Sequence, residues 1–474
     1  MIVSKTFTIE TRLEKTKEFE EYFSSYLKEY NAIYRTMWHK MIASDYRFRY
    51  PKDSYFVTEM CQTYGVLKRT INSIRYDIKG RRKALLELKK TEREALELKI
   101  EKKEEKVQAL QESIEQRKPK IRENRASLLE LKKYREEKSS LYYQKNQLNR
   151  LKQSLKQLNY EIEHQKLSLG FGGKVMFQKQ YQLEENGYHS HAQWYQDYVR
   201  QRDKNVFYLG SLDETQGNQL VQMRYREEED DFTIQLRKEK KYSGEQKEEL
   251  YLRLEQVNFE HLREELISLL HHQEWKTEGK RKPISYRIRR EGKKWYLQSM
   301  FAIEVEHYET SSRDGVFGLD YNDGFIELSE TDGCGNLIGQ YHYELKYHGT
   351  GKKAENEIRQ VISKIVDLAE KKGKNISIEA LDFKKTKAKI TKAKGRKGKT
   401  YHRMLHLFDY RRYQNTLENS CHRHKVRLQK VNPKNTSRIG KEKYSERKKL
   451  NTHQAASYVI ARRGQGFRDK LKRA

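Results

Sequence analysis

This 474-residue sequence is poor in cysteine, in long apolar runs and, relative to its bases, in acid. Its three cysteines, Cys61, Cys334 and Cys421, lie far apart and form no Cys-x-x-Cys pair, which argues against a disulfide framework and against a thiolate zinc site. Cys421-His422-Arg423-His424 has metal-binding donor chemistry but belongs to a basic segment with no second ligand cluster, so these read as ordinary helix and loop residues. No apolar stretch approaches the ~18 residues of a membrane span, and the N-terminal residues hold no signal-peptide core. The expectation is therefore no membrane partner and a cytoplasmic, nucleoid-associated protein. Aspartate and glutamate number 68 against 99 lysines and arginines, a net charge of +31. That imbalance selects a polyanionic partner. The 33 tyrosines and 16 phenylalanines interleaved with the bases favour nucleic acid over a membrane surface.

The length suggests two to four domains with ample chain for a core. Ile2 to Ile9 alternates as a strand, and Lys15 to about Ile42 reads as a helix with Phe19, Tyr22, Phe23, Tyr26, Leu27 and Tyr30 on one face. From about Leu67 to Leu169, Lys, Glu, Gln and Leu dominate. Leu141, Leu148, Leu151, Leu155, Leu158 and Ile162 keep a 3,4 spacing, as do Val107, Leu110, Ile114, Ile121 and Leu128 upstream. Pro119 interrupts that pattern, because proline lacks the donor a helix needs and clashes with the preceding turn. The reading is two long helices folded into an antiparallel hairpin that reverses near Pro119, each arm about 60 Å long at about 1.5 Å per residue. A dimerising coiled coil and an arm that grips a nucleic-acid duplex need the same apolar seam, and both stay open.

Ser168-Leu169-Gly170-Phe171-Gly172-Gly173-Lys174 lacks the Gly-Lys-Ser/Thr ending of a phosphate-binding loop and reads as a turn. Strands return from Phe232 to Glu306. The clearest is a hairpin in which Ile284 to Arg290 turns through Glu291-Gly292-Lys293-Lys294 into Trp295 to Phe301. With the N-terminal strand these segments suggest one discontinuous β-barrel, split by the helical insertion.

Two acids stand at the ends of short apolar strands. In Gly315-Val316-Phe317-Gly318-Leu319-Asp320, alternation puts Val316, Gly318 and Asp320 on one face and Phe317 and Leu319 on the other. Lys374-Asn375-Ile376-Ser377-Ile378-Glu379 ends the same way, with its apolar side chains turned from the carboxylate. Ile358, Val361, Ile362, Ile365, Val366, Leu368 and Ala369 recur between them at helical spacing. Two carboxylates so carried offer hard oxygen ligands to a divalent cation, which polarises a phosphodiester and acidifies water. A solvated acid at a turn is the bland reading of either one alone.

This order of elements resembles the TnpB family, RNA-guided nucleases of insertion sequences related to type V CRISPR effectors. The likeness rests on the Arg-Ile-Arg-Arg-Glu-Gly-Lys-Lys-Trp-Tyr hairpin, Gly-Leu-Asp320, Ile-Glu379-Ala-Leu, Pro433-Lys434-Asn435-Thr436-Ser437, and Ala455-Ala456 opening a final helix. It implies an α+β multidomain chain. Residues 1–14 and 206–310 would form a β-barrel wedge domain, 15–205 an inserted helical lobe with the long hairpin, and 311–474 an RNase H-like (RuvC) α/β nuclease domain. It further implies Mg²⁺ or Mn²⁺ as cofactor, with guide RNA and target DNA as partners. Oligomeric state stays open.

Two departures stand out. The family's four-cysteine zinc ribbon is missing, and where its third acid would precede the closing helix this chain reads Leu450-Asn451-Thr452-His453-Gln454-Ala455-Ala456. His453 is then the candidate third ligand beside Asp320 and Glu379, although imidazole favours softer ions and a negative charge is lost. The alternative makes Asn451 or Thr452 the helix cap and His453 a first-turn residue. Phosphate contacts are expected from Lys384, Lys385, Lys387, Lys389, Lys392, Lys394, Arg396, Lys397 and Lys399, a run that follows Glu379, and from Arg462 and Arg463. Three functions compete: an RNA-guided DNA endonuclease, a nuclease-inactive RNA-guided repressor or transposition accessory, and a coiled-coil scaffold without a guide.

Overall fold

The computed structural model describes residues 3–43, 46–123, 125–212, 217–242, 250–274, 282–305, 307–322, 324–346, 352–380 and 409–471. The chain divides into two compact units, Thr6–Ala302, and Met1–Lys5 with Ile303–Ala474.

In the first unit, the helix Lys17–Ile42 starts at Thr16, whose hydroxyl accepts from the Phe19 amide and so satisfies one of the free donors of the first turn. Its aromatic face is buried as the spacing predicts, and Phe19 and Phe23 meet Trp295 with ring centroids 5.0 and 5.5 Å apart. Trp295 belongs to an open sheet with the order β1-β7-β6-β2, made of Val3–Leu13, Lys294–Val305, Ser285–Glu291 and Asn205–Tyr208. A second open sheet carries β3 (Val221–Arg226), β4 (Asp231–Arg237) and β5 (Tyr251–Val257). Among the described residues neither sheet closes, so the expected barrel is two open sheets. Closure depends on which distant edges pair, and no local pattern encodes that.

The helical insertion is an intramolecular hairpin. One helix runs Lys68–Arg122 and its partner Leu128–Glu163. Ile100, Val107 and Leu148 form the buried seam, with Leu96, Leu141, Leu151 and Leu155 packed on it. Arg117 pairs with Glu137 at 3.2 Å and Lys152 with Glu104 at 2.6 Å across the two helices. The reversal falls beyond Pro119, which sits inside the last turns of the first helix. There, the carbonyl it leaves unpaired is close to an end that already has free carbonyls. Ser127 starts the return helix through a capping box with Glu130, and Leu128, expected in the seam, is 88% exposed.

The second unit is built on a five-stranded sheet in the order β10-β9-β8-β11-β12. These strands are Leu337–Glu344, Phe325–Thr331, Ser311–Asn322, Lys374–Glu379 and Leu428–Val431. β10, β9 and β8 are antiparallel, whereas β8, β11 and β12 are parallel. The crossover helix Lys352–Lys371 joins β10 to β11 and buries Ile358, Val361, Ile362, Ile365, Val366 and Ala369 against Phe317, Leu319, Ile326, Leu328, Ile376 and Ile378. The closing helix Thr452–Gly464 lies on the other face. Among the described residues, no helix is long and apolar enough to cross a membrane.

Candidate active site

The polar face of the sheet is set by a glycine. A Cβ on Gly318 would overlap the Ser457 carbonyl oxygen and the Ala461 amide nitrogen, so only glycine lets the closing helix lie directly on β8. Gly318 is flanked in register by Ser329 on β9 and Ser377 on β11. The Ser329 hydroxyl lies 2.6 Å from that of Ser457 and donates to the Gln454 carbonyl at 3.2 Å. Small residues thus seat the helix; Ser329 bonds to it, while the Ser377 hydroxyl donates to Gln429 of β12 at 3.1 Å.

Two residues further along β8, on the same face and at the helix N-terminus, is Asp320. Its antiparallel partner across β9 is Glu327, and the parallel register that pairs Leu319 with Ile378 brings Glu379 alongside on β11. Three carboxylates therefore stand in one row on three adjacent strands, about 4.8 Å apart strand to strand. Glu327 is buried, and its partners come from β10, where His342 Nδ1 lies 2.9 Å from Oε1 and Gln340 Nε2 donates to Oε2 at 3.4 Å. Asn322 Nδ2 donates to Asp320 Oδ2 at 3.0 Å. The Thr436 hydroxyl donates to Glu379 Oε1.

Burial and, after it, the charge of Asp320 push the Glu379 carboxyl above the usual range, while the Thr436 hydrogen bond and the Arg463 guanidinium act the other way. His453 Nδ1 lies 3.2 Å from Asp320 Oδ2. This hydrogen bond, aided by the charges of Asp320 and Glu327, raises the imidazole pKa against the opposing effect of its partial burial. The ring also meets Phe325 edge-on at 5.2 Å, and Phe325 stacks on His342 at 5.4 Å. Asn451 caps the closing helix through a capping box with Gln454. His453 is thus a first-turn residue, as one alternative read from sequence has it, and its ring is turned to Asp320.

The carboxylate row has the hard oxygen chemistry that Mg²⁺ and Mn²⁺ take. The donor atoms of Asp320, Glu379 and His453 are nevertheless not all within 4.8 Å of one another. Among the described residues, that closeness occurs at Asp367, Glu370 and His424. His424 Nδ1 is 2.7 Å from Glu370 Oε2 and 3.9 Å from Asp367 Oδ1, so the histidine of the Cys-His-Arg-His segment does have carboxylate neighbours, supplied by the crossover helix.

Of the basic candidates, Lys384, Lys385, Lys387, Lys389, Lys392, Lys394, Arg396, Lys397 and Lys399 lie outside the described residues. Arg462 is committed internally: it donates to Asp469 and to the Gly335 carbonyl, each at 2.8 Å, and stacks over Phe467 at 4.3 Å. Arg463 donates to the carbonyls of Asn432 and Lys434. It also lines an open groove of about 700 Å³ with Lys430, Lys434, Arg468, Lys470 and the single carboxylate Asp469. The groove includes Val431, the register partner of Glu379. Sequence reasoning missed Glu327 and His342. Asp-Gly between Asn322 and Phe325 is a two-residue hairpin signal, and it fixes 327 opposite 320.

No family model matches the sequence, and no curated protein does. Among solved structures, a chain from a cryo-EM structure of a CRISPR-Cas12f ternary complex aligns over 96% of this chain and 98% of its own length, at 12% identity and a TM-score of 0.22. That likeness carries no functional weight.

Proposed function

We propose that the unit containing the five-stranded sheet is a metal-dependent nuclease domain and that the chain is an RNA-guided DNA endonuclease of TnpB type, associated with a transposable element. One observation carries this reading: Asp320 and Glu379 end neighbouring parallel strands on one face, beside a groove with five cations and one carboxylate. The β10-β9-β8-β11-β12 order, with its antiparallel half and its parallel half, supports an RNase H-like (RuvC) assignment. Net charge supports guide RNA and target DNA as the partners.

In this reading Asp320 and Glu379 hold Mg²⁺ or Mn²⁺, and the buried Glu327 adds a third negative charge beside them. The bound ion supplies Lewis acidity toward a phosphodiester and a water of lowered pKa. Thr436 fixes one oxygen of Glu379, and Asn322 and His453 fix one of Asp320. Lys430, Lys434, Arg463 and Arg468 hold phosphates along the groove. His453 would be the third ligand if its Nδ1 exchanged the Asp320 hydrogen bond for the ion.

The second reading, a nuclease-inactive guided repressor or transposition accessory, draws on the same residue. A histidine stands where the third acid is expected, and its nitrogen is spent on Asp320. Cleavage assays on protein carrying its copurified RNA, in Mg²⁺ and in Mn²⁺, separate the two. Cutting that is stronger in Mn²⁺ and lost in His453→Ala, with guided DNA binding retained, establishes the nuclease. Guided binding without cutting in either metal establishes the repressor.

A further inference from the structure

The glycine-rich turn read from sequence has a use that the nuclease reading does not absorb. It forms one wall of a cavity of about 270 Å³ within the Thr6–Ala302 unit. Gly172 and Gly173 hold φ of +83° and +88°, a region that favours glycine, and a Cβ on Gly172 would press on the Tyr198 ring at 3.0 Å. The turn presents Phe171, whose ring meets Tyr34 at 6.2 Å and whose carbonyl accepts from the Tyr198 hydroxyl at 3.0 Å. One wall is therefore aromatic and held in place.

The rest of the lining is cationic. Asp77 accepts from the Tyr34 hydroxyl and from Arg81 Nε, both at 2.8 Å, and from Arg287 Nη2 at 3.0 Å. Arg202 forks onto Asp203 with two bonds of 3.0 Å, and Asp203 also takes Arg35. Lys204 lines the cavity as well. Four cations, Arg81, Arg202, Lys204 and Arg287, thus line the cavity with one carboxylate, Asp77, and both Asp77 and the Asp203 that holds Arg202 are already engaged. Arg287 Nε is buried and makes no hydrogen bond among the described residues. An excess of partly buried positive charge with an idle donor is costly unless an anion completes it.

We propose that this cavity binds one nucleotide unit, its phosphate against Arg81, Arg202, Lys204 and Arg287 and its base against Phe171 and Tyr34. The volume lies near the lower end of small-molecule sites, about 300 Å³, which suits a mononucleotide and leaves no room for a dinucleotide cofactor. Phosphate on guanidinium groups with a base on an aromatic wall is the chemistry by which proteins hold unstacked bases. The site stands on its own residues and does not depend on the nuclease reading.

The test is calorimetric titration of RNA-stripped full-length protein with adenosine 5′-monophosphate, with inorganic phosphate, and with a short oligoribonucleotide bearing either a 5′-phosphate or a 5′-hydroxyl. The monophosphate or the 5′-phosphorylated strand is expected to bind, and inorganic phosphate to bind more weakly. Lys204→Ala and Phe171→Ala are each expected to weaken binding at least about tenfold, the loss of one charged contact or one stacking face. Lys204 is outside the Asp77 network, so its variant keeps the fold, verified by an unchanged Tm. A response to the free monophosphate identifies a mononucleotide site, and a response to the phosphorylated strand alone identifies a strand-end site; either sustains the proposal. Absence of binding to both, or binding that neither variant alters, overturns it.

Discussion

The two faces of the five-stranded sheet are made by alternate residues of the same strands, and they could hardly differ more. On one, Phe317 and Leu319 of β8, Ile326 and Leu328 of β9, and Ile376 and Ile378 of β11 pack dry against the crossover helix. On the other, Gly318, Ser329 and Ser377 seat the closing helix, and Glu327, Asp320 and Glu379 stand beyond its N-terminus. A period of two lets a six-residue strand commit one face to stability and the other to charge. The apolar face offsets what it costs to hold three carboxylates side by side.

Substitutions that address one face alone test this division. The largest effect is expected from Asp320→Asn, which removes the central carboxylate. In the nuclease reading cleavage falls on the order of a thousandfold or more, because several kcal/mol of transition-state stabilisation leave with the metal. Thermal unfolding should show no comparable loss of stability.

Ile362→Ala on the crossover helix should do the reverse. It costs about 2–5 kcal/mol of unfolding free energy in denaturant titrations, while Mn²⁺ affinity of the folded fraction stays the same. Gly318→Ala comes next, at about 1–3 kcal/mol. It strikes both faces, since a Cβ lifts the closing helix and carries His453 from Asp320, so stability and cleavage should fall together.

The smallest effect concerns pH. Burial alone would push the Glu330 carboxyl up, but Lys372, Lys374 and the Tyr341 hydroxyl outweigh it and hold the group below the usual carboxylate range. A depressed folded-state pKa contributes stability above the unfolded value of about 4.3, and that stability is lost as pH falls through the folded value. Glu330→Gln should therefore flatten the acid limb of the stability-pH curve and lower stability at neutral pH. An unchanged acid limb would show that the pair of lysines does not hold this carboxylate.

What could be read in the sequence was what a single segment encodes. Alternation gave the faces of β8 and β11, and the 3.6-residue period gave the crossover helix and the aromatic face of the first helix. Glu327 escaped because its importance comes from a neighbour, and a neighbour is a matter of register. Within a hairpin that register was recoverable from the turn. The open sheets escaped for a stronger reason, since whether β2 and β1 meet other edges depends on chain hundreds of residues away. Leu128 matched the 3,4 spacing yet lies in the first turn of the return helix, where it is exposed. Thr436 was visible as part of a motif, but its hydrogen bond to Glu379 follows from the parallel pairing of β11 with β12.

The bare backbone of Gly318 also sets a timetable. Its partner helix and the His453 ring follow Asp320 by 133 residues, a gap that a ribosome crosses on the order of ten seconds. Through that interval β8 and its carboxylate have been synthesised, but nothing lies over the glycine and no imidazole faces the acid. The three-carboxylate row is complete in sequence by residue 379, and the imidazole that faces Asp320 joins it later. In the nuclease reading, a centre that needs His453 is incomplete until the closing helix has been made.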